Sequence, residues 1–118
     1  MMTIGTIAEL LDAKILCAEN TEARVDSACG SDMMSDVLAY VKDQAVLLTG
    51  LINTQVVRTA QMMDMVCVVF VRNKQPTEEM VALAKEQGIV LMTTSKRMYE
   101  ACGILYSGGL RPNGESHA

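Results

Sequence analysis

Short apolar runs alternate with segments of helical periodicity over the second half of the chain. The runs occupy residues 45–50, 65–72 and 89–94, and after each of them apolar side chains recur every three or four positions. The run 65–72 is apolar at successive positions, so as a strand it is apolar on both faces. A strand of this kind needs cover on both sides, which predicts a largely parallel sheet with helices packed on it.

Turn and capping residues set the expected limits of these units. Asn53 is predicted to cap the helix after the first run, and Pro76 to lie in the first turn of the helix after the second run. Gly88 is expected to end that second helix. Thr94 or Ser95 is expected to cap a last helix, whose apolar stripe is Met98, Ala101, Cys102 and Leu105.

The N-terminal part follows a different order. Thr6 and Glu9 have the spacing of a capping box and predict a helix over residues 7–12. Residues 14–19 and 24–31 are interpreted as two short strands joined by a polar turn. Ser31 or Asp32 is then expected to cap a helix, whose apolar stripe is Met34, Val37, Leu38 and Val41.

Together these elements predict one α/β domain over residues 1–110. With 118 residues the chain is long enough for a single core. The expected fold has three layers, with helices packed on a mostly parallel sheet of about five strands. Residues 111–118 contain no large apolar side chain and are expected to form a disordered tail.

Composition and charge argue against two classes of partner. Apolar residues make up 50% of the chain, but aromatic residues only 3%, and the formal net charge is −4. Because no stretch concentrates positive charge, nucleic-acid binding is not expected. The longest apolar stretch, residues 65–71, is too short to cross a membrane, and the N-terminus does not have the pattern of a signal peptide. We therefore expect a cytoplasmic protein.

The cysteines and the histidine do not have the spacing of a metal or catalytic site. The single histidine, His117, lies in the polar tail, and no CxxC pair occurs. The cysteines are expected to be buried reduced thiols, and the one considered for reactivity is Cys29, at a strand end beside Gly30. We expect no enzyme, no metal and no cofactor. The four cysteines are Cys17, Cys29, Cys67 and Cys102.

Polar residues follow the predicted parallel strands at their carboxyl ends. Open parallel sheets bind ligands outside these ends, and helix N-termini attract anions. The same residue types are also ordinary helix caps and turn residues, so a domain that binds nothing would contain them too. The candidate ligand-binding residues are Thr49, Gly50, Asn53, Lys74, Thr94 and Ser95.

Several stretches of the chain resemble the DRTGG domain, which is related to the N-terminal domain of HPr kinase/phosphorylase. They are LLTG at 47–50, QPTEEMVALAKEQGIVLMTT at 75–94 and TTSKRMYEACGIL at 93–105, and the resemblance covers roughly residues 3–107. The chain departs from the family pattern at two places. Leu51-Ile52 replace an acidic–basic pair, and Arg72-Asn73-Lys74 replace Thr-Gly-Gly.

The resemblance implies a DRTGG-like fold and an accessory role. Such domains are found with pyrophosphatases, phosphotransacetylases and kinase-like proteins, and they often contribute a dimer contact. It thus implies a non-catalytic regulatory domain that acts through homodimerisation and contact with a protein partner, such as a redox or kinase-like enzyme. The alternative is a sensor that binds a nucleotide or another anion at the strand ends. The chain has no GxxxxGK[ST] sequence, which excludes a P-loop kinase.

Overall fold

The computed structural model describes residues 2–18, 21–40 and 44–112. Within these ranges the strands are β1 (Met2–Thr3), β2 (Lys14–Cys17), β3 (Arg24–Val25), β4 (Ser27–Gly30), β5 (Ala45–Thr49), β6 (Cys67–Phe70) and β7 (Val90–Thr93). The helices are α1 (Ile4–Leu11), α2 (Met34–Tyr40), α3 (Thr54–Met62), α4 (Glu78–Gln87) and α5 (Met98–Ser107).

One mostly parallel sheet organises the domain, as predicted. Its strand order is β2-β7-β6-β5-β4, in which β4 to β7 are parallel and β2 runs antiparallel to β7. The short strands β1 and β3 form a separate antiparallel pair. The α/β fold class and the mostly parallel sheet of five strands are confirmed.

The core lies on both faces of this sheet. One cluster contains the buried faces of α1 and α5 with Val69 of β6, and the other contains those of α2, α3 and α4 with Phe70. The strands β4 to β7 advance in one direction across the sheet, so crossovers of one hand place the three intervening helices on the same face. The opposite face is covered by α1 and α5, which gives the predicted three layers.

Helix limits agree with the sequence interpretation at two places. Asn53 caps α3, because its side-chain oxygen accepts a hydrogen bond from the N–H of Gln55 at 2.9 Å. Gly88 follows α4 in the left-handed conformation, with φ of 70°, which is the usual glycine end of a helix. Both capping predictions are confirmed.

Three helix starts differ from the prediction. Helix α1 is capped by Thr3, whose hydroxyl accepts the N–H of Thr6, so the helix begins before the predicted capping box. Thr77 caps α4 by accepting the N–H of Met80, which leaves Pro76 outside the first turn. Arg97 occupies the cap position of α5 without a side-chain hydrogen bond. The prediction that Thr94 or Ser95 caps this helix is therefore wrong.

At the start of α2 the two candidate caps have different contacts. Ser31 accepts the N–H of Met33 at 2.9 Å, immediately before the helix, whereas Asp32 bonds to the end of β5. Three predicted features lie outside the described residues: the continuation of α2 to Val41, the last residue of the strand predicted over 14–19, and the tail residues 113–118. Arg111 forms an isolated parallel bridge with Ser27, beside the edge strand β4.

Helix α1 is joined to the sheet by a buried hydrogen bond from Thr94. The Thr94 hydroxyl donates to the carbonyl oxygen of Leu11 at 2.6 Å, and both residues are fully or almost fully buried. Leu11 is the last residue of α1, where carbonyl groups lack partners within the helix. The Thr94 side chain thus satisfies a buried carbonyl rather than a helix N-terminus.

Replacing Thr94 by valine is expected to lower the free energy of unfolding by about 1–3 kcal/mol, because it leaves the Leu11 carbonyl buried without a partner. Ser95→Ala is the matched control, since Ser95 is adjacent but exposed, and we expect a change within about 0.5 kcal/mol. Chemical denaturation of both variants measures the difference. Equal losses in the two variants would contradict this role of Thr94.

Candidate functional site

The carboxyl ends of the parallel strands form one rim of the domain. Thr49, Phe70 and Thr93, the last residues of β5, β6 and β7, are aligned in register across the sheet. We call residues 49–53, 71–75 and 93–97 the carboxyl rim. All six residues predicted as ligand-binding lie in it, so the sheet topology brings them to one edge as the sequence implied.

The Thr49-Gly50 turn already holds an anionic group of the protein itself. One carboxylate oxygen of Asp32 accepts the N–H of Gly50 at 2.7 Å and the hydroxyl of Thr49 at 2.9 Å. The Thr49 hydroxyl in turn accepts the N–H of Leu51 at 3.1 Å. These are the donors that a phosphate would use, and they are bound to Asp32 in this structure.

The turn after β6 has an unusual backbone. Arg72 and Asn73 both have φ of 58°, the left-handed region that glycine adopts most easily. The N–H of Arg72 donates to the carbonyl of Lys96, and that of Asn73 donates to the carbonyl of Thr94, each at 2.8 Å. These two hydrogen bonds join the loop after β6 to the loop after β7.

The same turn brings the exposed Arg72 side chain next to the glycine at position 50. The guanidinium of Arg72 lies directly against Gly50, where even a methyl group would overlap it. Gly50 therefore gives room to the Arg72 side chain. Where the family pattern has Thr-Gly-Gly, this chain has an arginine in a left-handed turn. The side chain of this arginine lies over the end of the neighbouring strand β5.

The other predicted site residues differ in whether their side chains are already hydrogen-bonded within the protein. The Thr94 hydroxyl is engaged with Leu11, and Asn53 caps α3. Lys74 and Ser95 are exposed at the rim. The carbonyl oxygen of Lys74 accepts the hydroxyl of Thr93 at 2.8 Å, so this part of the rim is held by a side chain outside the six candidates.

Cationic side chains collect at this edge of the sheet. Lys14 begins β2 directly beside Thr93, and Arg72, Lys74 and Arg97 belong to the rim. Among the described residues none of these four has an ion-pair partner. Lys96 is paired only loosely, 4.0 Å from Glu100. Lys74 was among the candidates named from the sequence, but Lys14 could be placed here only once β2 was known to pair with β7.

The helix N-termini at the rim contribute less to the attraction of an anion than was expected from the sequence. The first turn of α4 contains Glu78 and Glu79, whose charges already complement the positive end of the helix. Glu100 does the same in the first turn of α5. An anion at the rim would therefore depend mainly on the lysine and arginine side chains.

Three of the cysteine thiols, those of Cys29, Cys67 and Cys102, have a raised pKa. Burial is the main cause that raises the pKa of Cys29, and the nearby Cys102 and Asp36 raise it further. Burial also raises the pKa of Cys67 and Cys102. Because only the thiolate is strongly nucleophilic, a raised pKa lowers the reactivity of Cys29 that the sequence had left open.

The described residues contain neither a cluster of metal-ligating side chains nor a helix that could span a membrane. No group of three or more His, Cys, Asp or Glu side chains in the described ranges is arranged to hold a metal ion. None of the helices within those ranges has the length and apolar character needed to span a bilayer.

The family model of the DRTGG domain matches residues 6–107, and this chain therefore belongs to the DRTGG domain family. Among solved structures it is similar to the CBS and DRTGG domains of the regulatory region of Clostridium perfringens pyrophosphatase, complexed with the activator diadenosine tetraphosphate. The sequence identity is 14% and the TM-score 0.72, so this likeness concerns the fold. The match covers 88% of this chain and 46% of that one, less than half of its length. A comparison with curated proteins finds no match.

Proposed function

We propose that this DRTGG domain is a non-catalytic regulatory module that acts through homodimerisation and contact with a protein partner. The pyrophosphatase neighbour supports a regulatory role, because its DRTGG domain belongs to the regulatory region of that enzyme. The state of the rim supports a role without catalysis. Its best-placed hydroxyls, those of Thr49 and Thr94, are engaged in the hydrogen bonds that hold the rim and α1 together.

The observation that carries this proposal is the apolar surface of the domain. Aromatic residues are only 3% of the chain, yet two of its three tyrosines, Tyr99 and Tyr106, are exposed on one helix. Exposed tyrosines of this kind are enriched at protein interfaces, where they bury a large area at low entropic cost. The exposed large apolar side chains are Leu10, Met33, Leu38, Met62, Tyr99 and Tyr106.

The cysteine thiols provide an argument about the cellular compartment of the domain. All four cysteines are free in the structure, three of them with a pKa raised by burial. Free thiols are typical of proteins kept in a reducing compartment. We therefore propose a cytoplasmic location, with a cytoplasmic enzyme as the partner.

The protein is expected to be a homodimer in solution at tens of micromolar. Light scattering coupled to size exclusion should give twice the monomer mass of 12.8 kDa. Dilution should shift the mass toward the monomer, as mass action requires. A constant monomer mass over this concentration range would contradict homodimerisation.

A second candidate function, an anion sensor, is favoured by the unpaired cations of the rim. Lys14, Lys74 and Arg97 lie at the ends of neighbouring strands, which are about 4.8 Å apart, and Arg72 reaches one strand further to Gly50. The strand ends from which these side chains come span about 14 Å, which suits an extended ligand with several negative charges better than a single phosphate. A nucleotide or another polyphosphate is the class we propose.

Inorganic tripolyphosphate is expected to raise the melting temperature of the wild type. Saturation at a hundredfold excess over the dissociation constant corresponds to about 2.7 kcal/mol. Arg72→Gly should abolish most of the shift while it preserves the fold, because glycine suits φ of 58°. Lys85→Ala is the control, since it removes an exposed cation from the far end of α4. The sensor proposal fails if the wild type does not respond, or if both variants respond equally.

A further inference from the structure

Helix α5 has apolar or small residues all around its circumference. Ala101 and Leu105 are buried on the side that covers the sheet. The opposite side carries Tyr99, which is 92% exposed, and Tyr106, which is 55% exposed. Glu100 is the only charged residue among the ten of this helix. A surface helix normally presents charged residues to water, so α5 contributes unusually little charge to its own outer side. The one charged group placed there from outside the helix is the Arg111 guanidinium, which lies 4.0 Å from the centre of the Tyr106 ring.

Tyr99, Gly103 and Tyr106 form a single stripe on this outer side. At about 100° per residue they fall within an arc of roughly 60°, directly opposite Ala101 and Leu105. The two tyrosines thus stand at either end of the stripe, with a glycine between them. We call these three residues the α5 stripe.

Gly103 has no role in the packing of the monomer. A Cβ atom added at this position would meet no other atom within 4 Å, whereas one added at Gly108 would overlap Met2. Glycine destabilises the interior of a helix relative to alanine. A glycine at an exposed position in mid-helix is understandable where another backbone approaches closely, and in this stripe it leaves a gap between two large rings.

We propose that the homodimer forms by antiparallel packing of α5 against α5 of a second copy, with the two-fold axis at Gly103. This inference rests on the homodimerisation proposed above and names its surface. With the axis at Gly103, Tyr99 of one copy lies opposite Ser107 of the other, and Tyr106 opposite Glu100. Each contact therefore occurs twice, as a closed two-fold interface requires.

The position of the Glu100 charges and the area that the α5 stripe can bury are compatible with a second copy of the chain on this surface. In this arrangement the two Glu100 residues are six positions apart along the helices, about 9 Å, so they do not face each other. Burial of the four tyrosines would remove about 600 Å² from water. That is half of the roughly 1,200 Å² at the lower end of specific interfaces. The remaining area would have to come from the rest of the open groove of about 720 Å³ that contains the stripe, which is also lined by Leu10, Cys102, Ile104, Ser107 and Gly108.

Gly103→Ala gives the most discriminating test, because its two effects have opposite signs. It should raise the melting temperature of the monomer at high dilution, since alanine favours the helix and meets no clash. It should also weaken dimerisation, because the added methyl group stands on the two-fold axis. A role of Gly103 confined to the monomer fold would not move the dimer dissociation constant.

Tyr99→Ser is the second variant and should raise the dimer dissociation constant about 30-fold, the effect of removing an interface hot spot. Leu38→Ser and Met62→Ser are matched controls, because they remove exposed apolar side chains from α2 and α3 on the other face of the sheet. Sedimentation velocity over a dilution series measures the dissociation constant for each purified full-length variant.

The outcomes separate this inference from the proposed function. Weaker dimers for Gly103→Ala and Tyr99→Ser, with unchanged controls, support the α5 stripe as the interface. A dimer that is unaffected by these two variants overturns the inference but leaves homodimerisation intact. A wild type that is monomeric at every concentration overturns both.

Discussion

Strand β6 must be covered on both faces, and most of the architecture depends on this requirement. Successive residues of β6 are buried on opposite faces of the sheet. Val69 lies on the face covered by α1 and α5, and Phe70 on the face covered by α2, α3 and α4. Each large apolar side chain contributes about 1.5–3 kcal/mol when it is removed from water, so neither face can be left open. Crossovers of one hand supply a single helical layer while the strands advance in one direction. The second layer must therefore come from the two ends of the domain, α1 and α5.

The features that could be predicted are those encoded locally. The apolar periodicity placed β5, β6 and β7, and short-range chemistry placed the caps at Asn53 and Gly88. The wrong helix starts were choices between neighbouring residues of similar chemistry. Thr3 caps α1 instead of Thr6 because its backbone is already extended by the pairing of β1 with β3, a contact that no local pattern reveals.

The sequence could predict where the candidate site residues lie, but not which groups they contact. The strand ends and loops bring the candidate residues to one rim, but the groups to which these residues hydrogen-bond come from distant parts of the sequence. Asp32 reaches Gly50 from 18 positions away, and Thr94 reaches Leu11 from 83 positions away. The left-handed turn at Arg72 costs about 1–2 kcal/mol for a residue other than glycine. It is held by hydrogen bonds to the loop after β7, which sequence alone cannot show.

The two ends of the described chain lie close together. Met2 pairs with Val25 in the small antiparallel sheet, and Arg111 bridges to Ser27, two residues further on. With neighbouring strands about 4.8 Å apart and a rise of about 3.3 Å per residue, the two ends are no more than about 16 Å apart. A domain with adjoining ends can be spliced into a surface loop of a host protein without stretching either junction. The same geometry makes this fold a suitable subject for circular permutation, with new termini opened at an exposed loop.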